Sequence, residues 1–252
     1  MAIHEAKIIT IASVKGGTGK TSTALNLAGT YSLMNKKVLI LDFDLYSGGI
    51  ALSLNVEINT DIYKLAYDMS INEYKNIGDY ILKYNEYIDI IPAPKDPRYA
   101  SKIETKYISA ILKKIRSKYD VVIIDTNHVL DATNLILFDK SNTIVYITNN
   151  SPLDIKNLKS IIAIHKDMEK DNYIVVLNES TNKLNEILSN YDIKNIIKND
   201  INYIIPRTFY NKNINKYVLE GKIMILEKNI RILNKNTIKI FNKMAQDLLE
   251  RW

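Results

Sequence analysis

The chain has 252 residues, 46% of them hydrophobic, with 34 lysines and arginines against 28 acids and no cysteine. That length can bury the core of one large α/β domain, and zero cysteines exclude disulfides, thiolate metal sites, cysteine-held iron–sulfur clusters and thiol catalysis. No apolar run approaches the roughly 18 residues that span a bilayer, no basic-then-apolar leader opens the chain, and the net charge of +6 is spread without a block of like charges. These features together point to a cytoplasmic protein.

Along the chain, short apolar runs alternate with longer segments of helical period, the pattern of βαβ units and a parallel sheet. Strands are predicted at 8–12, 38–42, 88–91, 121–125, 143–148, 174–178 and 203–205, most of them continuous Val/Ile/Leu runs suited to burial on both faces. Helices are predicted at 20–35, 98–117, 130–140, 153–170, 182–190, 211–220 and 236–251, with two short helices in 55–86. Pro92, Pro94 and Pro97 mark an irregular loop rather than a linker. The expected fold is α/β: a single doubly wound, mostly parallel sheet of about seven or eight strands with helices on both faces. One domain covers 1–252.

The first strand runs into Lys15-Gly16-Gly17-Thr18-Gly19-Lys20-Thr21-Ser22, and a helix follows. A glycine-rich turn between strand and helix aims successive backbone N–H groups, and the positive helix end, at a phosphate chain. In such a loop the backbone from Gly16 to Ser22 binds nucleotide, Lys20 reaches the β- and γ-phosphates, and the Thr21 hydroxyl binds Mg²⁺. The first loop position, usually Gly, is Val14. Lys15 lies too early in the turn to share the role of Lys20.

The second strand ends Asp42-Phe43-Asp44. Carboxylates at i and i+2 share one side of an extended segment, where they can hold Mg²⁺ through water and orient an attacking water. Asp125 ends another buried strand, the form expected of a second Mg²⁺-holding acid. Lys15, Lys20 and the metal would meet the charge that develops in phosphoryl transfer. Asn178 and Pro206-Arg207 end or follow two further strands, either as the wall of a base pocket or as routine strand-end residues. The last helix repeats Ile238, Phe241, Met244, Ala245, Leu248, Leu249 and Trp252 at helical spacing. Its mixed polar face favours packing on the sheet over membrane binding.

Lys-Gly-Gly-Thr-Gly-Lys-Thr with Asp-Phe-Asp and a later Val-Val-Ile-Ile-Asp-Thr resembles the deviant Walker-A ATPases of the MinD/ParA superfamily. Within it, residues 41–54, 91–97 and 119–126 look like the CpaE/TadZ branch that serves Tad-type pilus assembly. The resemblance implies ATP and Mg²⁺ as cofactors, slow and partner-stimulated hydrolysis, and an ATP-sandwiched homodimer in which Lys15 crosses to the other subunit's phosphates. It further implies Asp44 as the water-orienting switch acid, Asp125 as the Mg²⁺-linked acid, and Asn178, Pro206 and Arg207 as the adenine wall. Implied partners are pilus or secretion assembly proteins, with the inner face of the cell membrane or nonspecific DNA as alternatives in MinD-like or ParA-like roles. Departures are Tyr46-Ser-Gly-Gly in the second motif and Asp125-Thr-Asn-His where relatives have Asp-Thr-Pro-Pro. They leave open a scaffold that binds nucleotide with negligible hydrolysis. The receiver-like N-terminal domain common in the pilus branch is not expected here.

Overall fold

The computed structural model describes residues 5–179, 188–211 and 214–251. In chain order the elements are β1 (Lys7–Ala12), α1 (Lys20–Leu33), β2 (Val38–Phe43), α2 (Ile50–Ser53), α3 (Ile62–Ser70), β3 (Leu82–Lys83), β4 (Ile88–Ile91), α4 (Lys106–Ile115), β5 (Val121–Thr126) and α5 (Ala132–Lys140). They continue with β6 (Thr143–Thr148), α6 (Pro152–Asp167), β7 (Tyr173–Asn178), α7 (Asn190–Ile197), β8 (Tyr203–Ile205), α8 (Thr208–Asn211), α9 (Ile214–Leu219), α10 (Lys228–Leu233) and α11 (Lys235–Glu250).

The strands form one sheet in the order β3-β4-β2-β5-β1-β6-β7-β8, parallel except for the antiparallel pairing of β3 with β4. Side chains alternate across the strands. In β5, Val121 and Ile123 join the core built with α1 and α11, whereas Val122 and Ile124 join the core under α3 and α4. A third cluster packs β6 and β7 against α6 and α7. Helices therefore cover both faces, and β1 lies centrally between β5 and β6. In this architecture ligands bind at the carboxyl ends of the strands, where the connections diverge.

Several predicted boundaries move, each for a local reason. The helix expected over 98–117 is split into a 3₁₀ turn, Pro97–Lys102, and α4, because Ile103 adopts an extended conformation between them. The helix expected at 182–190 lies largely outside the described residues, and Ser189 starts a helix instead of ending one. Its hydroxyl accepts from Asp192 N at 3.1 Å and the Asp192 carboxylate accepts from Ser189 N at 2.9 Å, so α7 begins at Asn190. Such reciprocal capping fixes a helix start. Segment 55–86 holds one helix, α3, then a 3₁₀ turn and the two-residue edge strand β3. Of the helix expected over 211–220, residue 211 ends α8 and 214–219 form α9, residues 212–213 lying outside the described residues, and α2 and α10 were not anticipated.

α11 packs as expected. Phe241, Met244, Ala245 and Leu248 are buried in the core, and the Tyr31 hydroxyl donates to the Ala245 carbonyl at 3.0 Å. Among the described residues no helix is long and apolar enough to cross a membrane.

The chain after α9 crosses closely over α1. A Cβ at Gly29 would stand 2.5 Å from Ile225 Cγ2 and 2.8 Å from Ile223 Cγ2. Alanine gains about 1 kcal/mol of helix propensity over glycine, but overpacking a buried contact costs about 1–3 kcal/mol. Gly29→Ala is therefore expected to lower stability by about 1 kcal/mol in urea unfolding; a stabilised variant would contradict this packing.

Candidate nucleotide site

Beyond β1 the chain turns through residues 13–19 into α1. Gly17 and Gly19 have φ of +75° and +95°, a region that side chains rarely tolerate. This lets the turn close tightly and leaves the first N–H groups of α1, with the positive end of its dipole, facing the crevice.

Lys20 opens α1 and is buried, its Nζ donating to Ser13 Oγ at 3.0 Å; Ser13 Oγ in turn donates to the Lys15 carbonyl at 2.7 Å. Burial lowers the Lys20 pKa, opposed by the charges of Asp125 and Asp44. A buried ammonium with a neutral hydroxyl as its partner is well placed to take a phosphate.

The Thr21 hydroxyl donates to Asp125 Oδ2 at 2.6 Å. Asp125 is fully buried, and no donor among the described residues reaches its Oδ1. β2 and β5 pair in register, so Asp42 lies directly beside Asp125. Burial first, then mutual repulsion, raises the Asp42 pKa, and burial raises that of Asp125 against the pull of the Thr21 hydroxyl and Lys20. Asp42 also shapes the loop that follows it: Oδ1 accepts from Asp44 N at 3.2 Å and Oδ2 from Ile50 N at 3.0 Å. Its link to a metal would accordingly run through water. Asp44 stands half-buried at the start of that loop.

These groups fit Mg²⁺. The Thr21 hydroxyl and the Asp125 carboxylate are hard oxygen ligands, and an unpartnered buried carboxylate oxygen is offset by a cation. Among the described residues no group of three or more His, Cys, Asp or Glu converges to cage a metal. The remaining ligands of a Mg²⁺ here would be phosphate oxygens and water.

Lys15 lies apart from Lys20. Its ammonium is 3.6 Å from Asp154 Oδ1, with the lysine side chain 53% exposed and the aspartate 0%. Burial raises the Asp154 pKa and the Lys15 charge opposes that rise. Asn178 is buried, and its Nδ2 donates to the Thr18 carbonyl at 2.8 Å. That contact braces the phosphate loop against the end of β7. β7 pairs Asn178 with Ile205, so Pro206 and Arg207 follow at the adjacent strand end. Sequence reading missed Ser13 and Asp154. An acid in the first turn of a helix is commonplace, and only the packing of α6 beside the phosphate loop gives this one a partner.

A phosphate loop at the central strand of a mostly parallel sheet, beside the hydrogen-bonded Thr21–Asp125 pair, is the arrangement of the P-loop NTPase fold. The chain belongs to the AAA domain family, whose model matches residues 6–178, and its curated relatives include a plasmid ParA family protein of Chlamydia psittaci and the septum site-determining protein MinD of Synechocystis. It is 27% identical over 183 residues to an uncharacterized ATP-binding protein of Methanocaldococcus jannaschii, covering 71% of this chain and 66% of that one. The fold matches a ParA family ATPase from Chlorobium tepidum (TM-score 0.81, 18% identity, 95% and 98% of the two chains). It also matches MinD from Pyrococcus horikoshii, solved with Mg-ADP (TM-score 0.78, 22% identity, 96% of each chain). Across three curated relatives, the aligned segments span 56% to 66% of the relative's length.

Proposed function

We propose that the chain is a Mg²⁺-dependent ATP-binding and hydrolysing switch that forms an ATP-sandwiched homodimer and positions a cellular apparatus. The observation that carries this reading is the division of labour between the two lysines. Lys20 is drawn into its own phosphate loop, whereas Lys15 rests half-exposed on Asp154 and can be released toward a second chain. Crossing of Lys15 to a partner's phosphates would complete each site only when two chains meet, adding positive charge where it develops in phosphoryl transfer.

In the assembled site the Gly16–Ser22 backbone and Lys20 bind the phosphates, Thr21 and Asp125 hold Mg²⁺, and Asp42 sets the loop that carries Asp44. Bound Mg²⁺ supplies charge neutralisation for the phosphate oxygens. Asp44 orients the attacking water. Asn178, Pro206 and Arg207 wall the base.

The apparatus proposed is a Tad-type pilus or secretion assembly, on the likeness of residues 41–54, 91–97 and 119–126 to the CpaE/TadZ branch. Action would be in the cytoplasm, peripherally at the inner face of the membrane. A second reading, MinD-like or ParA-like positioning, is favoured by relatives that include the septum site-determining protein MinD of Synechocystis and the sporulation initiation inhibitor Soj of Bacillus subtilis.

A site completed by a second chain makes turnover depend on protein concentration. ATP hydrolysis per chain is expected to rise with concentration and then level off as dimer forms. A constant per-chain rate, with light scattering reporting monomer throughout, would overturn the dimeric site.

A further inference from the structure

Residues 228–246 hold five cations, Lys228, Arg231, Lys235, Lys239 and Lys243, and no acid. The cations are not adjacent in sequence; the turn of α11 brings three of them to one side. Thr237, Phe241, Met244, Ala245 and Leu248 of that helix are buried. Lys235, Lys239 and Lys243, spaced by four, therefore run along its opposite side, and all three are exposed. Each stands about 6 Å along the axis from the next.

No ion pair among the described residues includes any of these three lysines. The acids of α11 come only in its last turn, and of these Asp247 accepts a hydrogen bond from the Tyr203 hydroxyl. The first three turns thus present positive charge to solvent with nothing on the helix to offset it.

An apolar pair adjoins this stripe. Ile232 and Leu233, where α10 meets α11, are 56% and 78% exposed. They line a cavity of about 320 Å³ together with Lys235 and Asn236, so the pair borders the start of the stripe. Single exposed apolar residues are common. Two in succession beside unopposed cations match a peripheral membrane surface, where lysines meet anionic headgroups and aliphatic side chains enter the boundary with the acyl chains. A nucleic-acid backbone would reward the lysines and gain nothing from Ile232 and Leu233.

We propose that the α10–α11 junction and the outer side of α11 dock on an anionic lipid surface, Ile232 and Leu233 inserting and Lys235, Lys239 and Lys243 meeting the headgroup phosphates. This differs from insertion of an amphipathic helix, because the apolar side of α11 stays in the core. The proposal rests on the peripheral membrane placement given above and on no step of hydrolysis.

Sedimentation of the full chain with vesicles, with and without Mg²⁺ and a non-hydrolysable ATP analogue, tests it. Vesicles of phosphatidylglycerol and phosphatidylcholine in equal parts are expected to carry the chain down, and phosphatidylcholine alone is not. Replacing Lys235, Lys239 and Lys243 together by glutamine is expected to weaken binding about 100-fold, and Leu233→Ser about tenfold. The same replacement of Lys113, Lys114 and Lys118, which removes equal charge elsewhere, is expected to leave binding within threefold. All substituted positions are exposed, and a thermal melt checks that each variant folds. Failure of the parent to bind either vesicle in any nucleotide state would overturn the surface and the peripheral placement together, leaving ATP binding untouched. Vesicle binding retained by the α11 variant, or lost equally in both triple variants, would overturn the surface alone. Displacement from vesicles by duplex DNA, with Leu233→Ser binding as the parent does, would overturn lipid in favour of a nucleic-acid backbone.

Discussion

Lys20→Ala is expected to lower ATP affinity about 100-fold. The lysine is buried at the start of α1 with a serine hydroxyl as its hydrogen-bond partner, so its charge is held ready for phosphate. A hydrogen bond to a charged group contributes about 1.5–3 kcal/mol, and each 1.4 kcal/mol is roughly tenfold in affinity. The same burial makes the ammonium costly without nucleotide, as the lowered Lys20 pKa indicates. Nucleotide-free Lys20→Ala should therefore melt no lower than the parent chain. Calorimetric titration with ATP and a thermal melt check both parts. Affinity within threefold of the parent would place the phosphates elsewhere.

The second large effect is expected at Asp44. Its charge stands near Lys20 and Asp125, yet it is only half-buried at the opening of the loop shaped by Asp42. That position suits a group that handles water more than one that grips nucleotide. Asp44→Ala should hydrolyse ATP about 100-fold more slowly, in line with the large share of phosphoryl transfer carried by positioning, while ATP affinity changes less than threefold. Single-turnover hydrolysis beside equilibrium binding separates the two; unimpaired hydrolysis would remove Asp44 from the chemistry. Trapped with ATP, the same variant is the bait for cargo, with Lys20→Ala as its control. A secretion ATPase or pilus platform protein enriched only by Asp44→Ala is the expected result. Division-site proteins or chromosomal DNA would favour the MinD-like or ParA-like reading.

The sequence made the centre of the sheet readable because β1, β2, β5, β6 and β7 are buried on both faces and can use little besides branched apolar residues. The phosphate loop was equally plain, since its glycines answer a backbone requirement that few other residues meet. What escaped was set by tertiary contact. β3 is two residues long and is a strand only because Leu82 and Lys83 pair with β4. α7 was not anticipated because the Ser189–Asp192 box was overlooked, a local signal that was available. The site shows the same division. Thr21 and Asp125 are 104 positions apart and were matched by chemistry. The partnership of Lys15 with Asp154 and the grip of Asn178 on Thr18 depend on which way side chains point after the sheet closes.

The central claim is that Lys15 serves a second copy of the chain. Its most direct test is light scattering of the parent and Lys15→Ala chains with Mg²⁺ and a non-hydrolysable ATP analogue, after titration confirms that both bind it. The parent mass is expected to go from 28.9 kDa to twice that value, while Lys15→Ala binds nucleotide and stays monomeric. An analogue-dependent dimer of Lys15→Ala, as stable as that of the parent, would contradict the crossing lysine.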